Sequence, residues 1–507
     1  MDETILIAGG GTMGAGIAAV AASAGYLVEL VETDPAARGR IAPNERVRVL
    51  DAMPSASAAR VAIEAVSEDL EAKRATFAAF EAALGPDALL ATNTSSLSVA
   101  EIAAKLARPE RALGLHFFNP PQKMALVEVV AAEATSGAAV ERARAFVARI
   151  GKTAVGAEDT PGFIVNRIAR PYYLQALRAL DAGVGPADDL DALARGAGFR
   201  MGPFELMDLI GLDINLATSE SIYLRTGEER LEPVVLQRRM VADGRLGRKS
   251  GVGFYDYAGG PPRRDDAVPE PGERNDDEIV VVIGYGGLAD ELVARLEQAY
   301  AHVGRVESDE LIDHLPGDAT IAIDVGDGKT DRGAMLRTIA TMLGPEAVIF
   351  ADAYATDLSA CARGFEGPGR LIGYGVLGAL ESQTAVEIVD ADDVSDEALG
   401  VAEELFAAIG LRTILVEPHA GLFLGRVVAS IVNEAVAAVD DGVASADDVD
   451  TAMRLGTNYP IGPIAWGREI GGGRLARILS RVAAEDGEAF APHRALWVLD
   501  VEEEPEA

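Results

Sequence analysis

The run Ile5-Leu6-Ile7-Ala8, followed at once by Gly9-Gly10-Gly11-Thr12-Met13-Gly14, leaves this chain few folds to choose from. The apolar residues read as a buried strand. Glycines at 9, 11 and 14 then serve, in order, a tight turn, the approach of a pyrophosphate to the backbone, and close packing of the next helix on the strand. That helix, running through Ala24, opens with free amides and the positive end of its dipole at the phosphate position. Tyr26 to Val31 is the second strand. Glu32 at its end is placed to bind both hydroxyls of an adenosine ribose and to repel a 2'-phosphate. Together these residues favour NAD over NADP, against the plainer reading of a glycine-rich turn with no ligand.

Val61 to Val66 and Leu89-Leu90-Ala91 read as further core strands. Ligands of an open parallel sheet sit at the carboxyl ends of its strands, so Thr92-Asn93-Thr94-Ser95-Ser96 should face the nicotinamide. His116, after Leu113-Gly114-Leu115, should do the same. Ser96 and Ser98 suit helix caps equally well, and only its place in the crevice sets Ser95 apart. The stretch Leu115 to Val130 pairs His116, at the end of one apolar strand, with Glu128 inside the next apolar run. Imidazole takes and returns a proton near neutral pH, and a buried carboxylate orients it and steadies its cation. By themselves the two residues fit either a general base with its partner or a hydrogen-bonded core histidine beside an edge glutamate.

A length of 507 residues implies two to four domains, and an apolar fraction of 49% excludes a disordered chain. Cys361 is the single cysteine and the five histidines are scattered. These counts point to a reducing cytoplasm and to no metal site. A net charge of -35 repels nucleic acid and anionic membranes, so a phosphate must be held by local amides and a few placed cations. Ile5 to Leu27 carries no charge, but Asp2 and Glu3 precede it and glycine and alanine fill it. That composition suits a soluble fold better than a membrane span or a signal peptide.

Five segments carry a resemblance: Gly9 to Gly14, Asn93-Thr94-Ser95-Ser96, His116-Phe117-Phe118-Asn119-Pro120, Val127-Glu128-Val129 and Thr160-Pro161-Gly162-Phe163-Ile164-Val165-Asn166-Arg167. In order and spacing they are similar to the L-3-hydroxyacyl-CoA dehydrogenases. The likeness continues through Met201-Gly202-Pro203-Phe204-Glu205-Leu206 and Gly244 to Gly251, covering residues 1 to 258. The resemblance implies His116 as catalytic base, Glu128 as its partner, and Ser95 and Asn166 as hydrogen-bonding groups around the substrate oxygens. It further implies Glu32, Glu68, Lys73 and Asn93 as NAD contacts, with Thr12 and Met13 in the cofactor loop. The implied activity is NAD-dependent oxidation of a 3-hydroxybutyryl- or 3-hydroxyadipyl-type thioester. One departure stands out. Between Glu32 and Glu64 this chain has only Thr33 to Arg60 where the family inserts a long helical arm over the adenosine end of CoA. Arg38, Arg40, Arg46 and Arg48 then read either as phosphate contacts or as solvated charges.

From Thr160 helical periodicity takes over, with Thr160 expected to cap a helix, Pro161 at its first position and Asn166 one turn in. Gly259-Gly260-Pro261-Pro262 to Asp277 marks a linker, after which the chain repeats itself. Ile279 to Gly287 echoes the first strand and turn, Val386-Glu387-Ile388-Val389 echoes Val127 to Val130, and Ile461-Gly462-Pro463 echoes Met201-Gly202-Pro203. The copy reads as catalytically dead. Gly375 falls where His116 would, Gly425 where Asn166 would, and Ala353-Tyr354-Ala355-Thr356 near the place of Ser95, while Ala289 replaces the third glycine. Gly328-Lys329-Thr330 reads as an ordinary turn, because a phosphate loop needs glycine where Ile323 stands.

The expected architecture is an α/β Rossmann-like domain (1–158) plus an all-α C-terminal domain (159–258), a linker (259–277), and a degenerate tandem copy of the pair (278–418 and 419–507). The resemblance implies that the helical regions associate, here as an internal pseudo-dimer or a homo-oligomer. The tandem arrangement is similar to the duplicated 3-hydroxyadipyl-CoA dehydrogenases of phenylacetate degradation. That likeness calls for a cation at a distal carboxylate, with Arg167, Arg170 and Lys123 as candidates. Two other readings remain open: a dehydrogenase of a free 3-hydroxy acid, and a non-catalytic NAD-binding scaffold.

Overall fold

The computed structural model describes residues 3–261, 264, 266–270, 272–326, 331–378 and 380–500, so Gly328-Lys329-Thr330 and the linker residue Pro262 lie outside the described residues. The chain divides into two compact units. The first gathers the described residues of Met1–Ala169, Glu220–Gly227 and Ala435–Pro463, and the second those of Arg170–Ser219, Glu228–Glu434 and Ile464–Ala507.

The first unit is built on strands β1 (Thr4–Ala8), β2 (Leu27–Val31), β3 (Val47–Leu50), β4 (Val61–Glu64), β5 (Leu89–Thr92), β6 (Ala112–Phe117), β7 (Leu126–Ala131) and β8 (Thr153–Glu158). They lie in the order β3-β2-β1-β4-β5-β6-β7-β8, parallel except where β6 meets β7. Strand order reverses between β2 and β4 on either side of β1, and a crevice opens there at the carboxyl ends. Alternation fills both faces. Ile5 and Ile7 pack with Ile17, Ala21 and Leu30, while Leu6 and Ala8 pack with Phe77 and Phe80. The crossover from β2 to β3 holds only one short helix, Pro35–Arg38, capped by Asp34.

Thr160 does not cap a helix as the sequence suggested. Residues 160–164 form a tight turn in which Gly162 (φ +82°) and Phe163 (φ +47°) are left-handed, and the helix starts at Val165, with Asn166 in its first turn. Pro161 fits that turn as readily as a helix start, which is why the sequence misled. Packed against β7, β8 and the Val165–Ile168 helix is a segment from far along the chain, the helix Ala446–Gly456.

The second unit carries β9 (Asn275–Ile283), β10 (Tyr300–Val306), β11 (Ile321–Asp324), β12 (Val348–Asp352), β13 (Leu371–Gly375), β14 (Ala385–Val389) and β15 (Arg412–Val416), in the order β10-β9-β11-β12-β13-β14-β15. Helices of both helical regions pack in this unit. Phe199 stacks between Tyr172 and Trp466 at 4.6 and 5.6 Å, and the helix Ala187–Gly196 lies on β14. The two sheets share one register. Gly375 of β13 faces Glu387 of β14 as His116 of β6 faces Glu128 of β7.

Around Glu387 the space is filled. The Tyr354 hydroxyl donates to Glu387 Oε1 at 2.7 Å, and the amides of Phe423 and Leu424 donate to the carboxylate at 2.8 and 2.9 Å. A side chain at 375 would overlap the Tyr354 ring, and a Cβ at 425 would sit 2.7 Å from it. Burial drives the Glu387 carboxyl up from 4.5 to about 7, against the pull of these three donors. A raised carboxyl favours folding most below its unfolded value, and that contribution fades as pH rises through the folded one. Replacing Glu387 by Gln is therefore expected to cost most near pH 4.5 and progressively less toward pH 8, read as the gap in melting temperature between the two proteins across that range.

Candidate functional site

Gly9 must be glycine twice over: its φ is +99°, and a Cβ there would overlap the Ala65 carbonyl. A Cβ on Gly14 would overlap the Gly9 carbonyl oxygen, so the Thr12–Ser23 helix sits directly on the turn. Before Gly11 the space is open to 4 Å, the clearance a diphosphate needs. Glu32 Oε2 accepts the Gly10 amide at 2.7 Å and Oε1 the Asp34 amide at 2.8 Å, which fixes the carboxylate at the end of β2 beside the glycine turn. Thr12 is exposed and Met13 half-buried at the helix start. These residues fit a dinucleotide whose chemistry is hydride exchange.

Where the antiparallel β6 and β7 pair, His116 Nδ1 lies 2.5 Å from Glu128 Oε2. Glu128 has no exposed surface, and its Oε1 accepts the amides of Ile164 and Val165 at 3.1 and 2.9 Å. The carboxylate thus couples the strand to the helix that carries half-buried Asn166. With the Nδ1 proton directed to Glu128, Nε2 is the nitrogen left to face the site. Phe118 and Phe163 flank the imidazole with ring centroids at 4.5 and 5.8 Å, limiting water on its sides.

The hydroxyl-rich loop after β5 is organised by Glu68, whose Oε1 accepts the hydroxyls of Thr94 and Ser96 and the amides of Ser95 and Ser96. Ser95 has no side-chain hydrogen bond in the described structure and is half-buried. Asn93 Oδ1 accepts the Phe117 amide at 2.8 Å, tying the end of β5 to the residue after His116. Burial works to raise the Glu68 carboxyl, but the Lys73 ammonium and the Thr94 and Ser96 hydroxyls outweigh it and hold it low. Lys73 itself is almost wholly buried, bonded to Glu64 Oε1 at 2.8 Å and Glu68 Oε2 at 3.1 Å. Ser98, weighed as a cap, does cap the Val99–Ala103 helix.

Two participants escaped the sequence reading. Glu64 ends β4 with no exposed surface and also accepts the Thr92 hydroxyl and the Val66 amide. A carboxylate closing an otherwise apolar strand was its only signal. Arg225 donates to the Ser96 carbonyl, and Ile222, one turn earlier, packs on Gly162. Nothing local in the sequence links Arg225 to a loop so distant in the chain. The arginines proposed for a distal carboxylate are engaged elsewhere. Arg167 pairs with Asp441 at 2.7 Å, and Arg170 bonds Ser219 and lies over Tyr173. Lys123 is exposed. Arg48 pairs with Glu29, and Arg38 and Arg46 bond backbone carbonyls, while Arg40 lines a 480 Å³ pocket beside Gly10, Gly11 and Thr12.

The model for the NAD binding domain of 3-hydroxyacyl-CoA dehydrogenase matches residues 4–44 and 39–160, and the model for the C-terminal domain matches residues 162–257 and again 421–505. A 3-hydroxyadipyl-CoA dehydrogenase of Escherichia coli K12 is 35% identical over 96% of this chain and 94% of its own length. A probable 3-hydroxybutyryl-CoA dehydrogenase of Bacillus subtilis is 36% identical over 50% of this chain and 97% of its own. Among solved structures, a 3-hydroxybutyryl-CoA dehydrogenase from Escherichia coli K12 aligns with a TM-score of 0.77 at 33% identity, covering 99% of both chains. No helix of the described residues is long and apolar enough to cross a membrane.

Removing one member of a buried ion pair strands the other. Lys73→Met, which leaves Glu64 uncompensated, is expected to cost about 3–5 kcal/mol in denaturant unfolding, with Glu64→Gln/Lys73→Met together costing less than Lys73→Met alone.

Proposed function

The chain belongs to the 3-hydroxyacyl-CoA dehydrogenase family, and on that premise we propose that it oxidises a 3-hydroxybutyryl- or 3-hydroxyadipyl-type L-3-hydroxyacyl-CoA to the 3-ketoacyl-CoA with NAD, His116 acting as general base. The observation that carries the proposal is His116 Nδ1 against a fully buried Glu128 that also holds the helix of Asn166. Oxidation takes a proton from the 3-hydroxyl and a hydride from the carbon that bears it. NAD, when bound, accepts the hydride. His116 Nε2 takes the proton, and the carboxylate 2.5 Å from Nδ1 offsets the charge that develops on the ring. Ser95 and Asn166 steady the oxygen as it becomes a carbonyl, and the flanking phenyl rings keep water from competing for the base. In this reading Glu32 would select the cofactor, and Asn93, Glu68 and Lys73 hold the loop that would border it.

The second copy is in this proposal a catalytically inert one. Its counterpart of the catalytic glutamate is spent on a tyrosine, and no imidazole fits beside it. A dehydrogenase of a free hydroxy acid is supported by one observation, the short β2–β3 crossover, and predicts faster reduction of acetoacetate than of acetoacetyl-CoA. A scaffold reading is disfavoured by the joint presence of Ser95, His116, Glu128 and Asn166. The single cysteine supports a cytoplasmic setting.

His116→Ala is expected to keep NADH affinity and lose turnover with acetoacetyl-CoA by ~100- to 10,000-fold, the usual worth of a positioned base. Unchanged turnover would remove the histidine from the mechanism. For the distal group, Arg225 is an exposed cation whose guanidinium bonds the loop that carries Ser95, and it has donors to spare beyond its bond to Ser96. If the acyl chain ends in a carboxylate, Arg225→Gln should lower kcat/KM for 3-ketoadipyl-CoA by about tenfold or more and leave acetoacetyl-CoA untouched. An equal effect on both substrates would argue for the butyryl-type assignment.

A further inference from the structure

We propose that the segment Ala435–Pro463, though it belongs to the inert copy, is a working part of the first copy's active site, with Gly456 and Asp441 as positioning residues. This inference rests on the catalytic reading above and goes beyond it by giving the second copy a task in the reaction.

The segment touches the catalytic apparatus from two sides. On one, the helix Ala446–Gly456 ends against the residues that frame Glu128. A Cβ built on Gly456 would lie 2.9 Å from Leu126 Cδ2 and 3.0 Å from Val165 Cγ2. Leu126 stands two residues before Glu128 on β7, and the Val165 amide is one of the donors to Glu128 Oε1 at 2.9 Å. Asp441 Oδ2 receives Arg167 Nη2 at 2.7 Å, and Arg167 directly follows Asn166. On the other side, the Val443 carbonyl accepts the Glu158 amide at 2.9 Å at the end of β8. The next residue, Asp159, accepts the Ser98 hydroxyl and the amides of Val99 and Ala100, anchoring the far end of the loop that bears Ser95. Glu128 and Asn166 are thus within two residues of side chains that this segment touches, and the Ser95 loop is reached from it through Glu158 and Asp159.

The second unit contains the mirror of this contact. There the helix Ala187–Gly196 ends at Gly196, where a Cβ would lie 2.5 Å from the Ala385 Cβ, and the Thr384 amide donates to the Gly196 carbonyl at 2.9 Å. Both helices finish on a glycine packed against the strand that carries the buried glutamate, β14 in one case and β7 in the other. Only on β7 does that glutamate face a histidine. The same clash introduced at the two glycines therefore separates a catalytic effect from a loss of general stability.

The experiment uses the full chain with NADH and acetoacetyl-CoA. Gly456→Val forces Leu126 and Val165 apart and is expected to lower kcat by about tenfold or more while KM for NADH stays within about twofold, because the glycine loop is not touched. Leu126→Ala in the Gly456→Val background reopens the space and should restore a large part of kcat. Asp441 is half-exposed, so Asp441→Asn, which should fold normally, is expected to cost a smaller loss of kcat, about threefold. Gly196→Val, the matched control, should leave kcat within about twofold of the parent. Parental kcat in both Gly456→Val and Asp441→Asn would overturn the proposal, as would equal losses in Gly456→Val and Gly196→Val, or a loss of kcat matched by a loss of NADH affinity. An inactive parent enzyme would instead overturn the dehydrogenase reading itself.

Discussion

A carboxylate with no exposed surface must be met by donors or its burial is prohibitive, and Glu128 meets that demand with the Ile164 and Val165 amides and the His116 ring. Acceptor, ring and amides come from three different pieces of the fold. The ring comes from β6, the amides from the turn at residues 160–164 and the helix start at Val165, and the acceptor from β7. Satisfying one buried charge therefore fixes the strand pairing, the entry of the chain into the helical region and the orientation of the imidazole together. The left-handed Phe163 that closes the turn lays its ring against His116, so the geometry that presents the amides also covers the imidazole.

The second sheet meets the same demand with a different set of donors. Glu387 occupies the same register and still receives two amides from a turn with a left-handed leucine, Leu422, at the place of Phe163. The third donor is now a tyrosine hydroxyl, and the tyrosine ring takes the volume that a histidine at 375 and an asparagine at 425 would need. Losing the imidazole alone would have left a buried acceptor short of a partner. The three positions 354, 375 and 425 make sense only as one repacking, and the glutamate persists because the turn amides need it.

The core strands, the glycine loop and the His116–Glu128 pairing were legible in the sequence because each is local or periodic: an apolar run, a fixed glycine spacing, one residue type at the end of a strand. What stayed hidden was long-range. Lys73 read as a cofactor contact, but its ammonium lies between two carboxylates, one of them Glu64, which no motif marks. Arg167, weighed as a substrate cation, is spent on Asp441, and no local pattern couples positions so far apart in the chain. The start of the helical region failed for a different reason. Thr-Pro is an equally good opening for a helix and for a turn, and only the pull of Glu128 on the Ile164 and Val165 amides selects the turn.

A chain of net charge -35 presents an unfavourable field to the pyrophosphate of a dinucleotide and to the phosphates of a thioester carrier alike. Screening confines that field to roughly 8 Å at physiological ionic strength, so binding is decided by what lies within a few bonds of the ligand. At the dinucleotide loop those groups are backbone amides at the start of the Thr12–Ser23 helix, which carry no net charge and have no side-chain cap. Arg40 is the basic residue lining the pocket beside them, on the crossover that replaces a long arm. An acidic surface of this kind leaves the phosphate sites to oriented dipoles and a few isolated guanidinium groups, which explains how the chain can be rich in carboxylates and still hold a polyanionic cofactor.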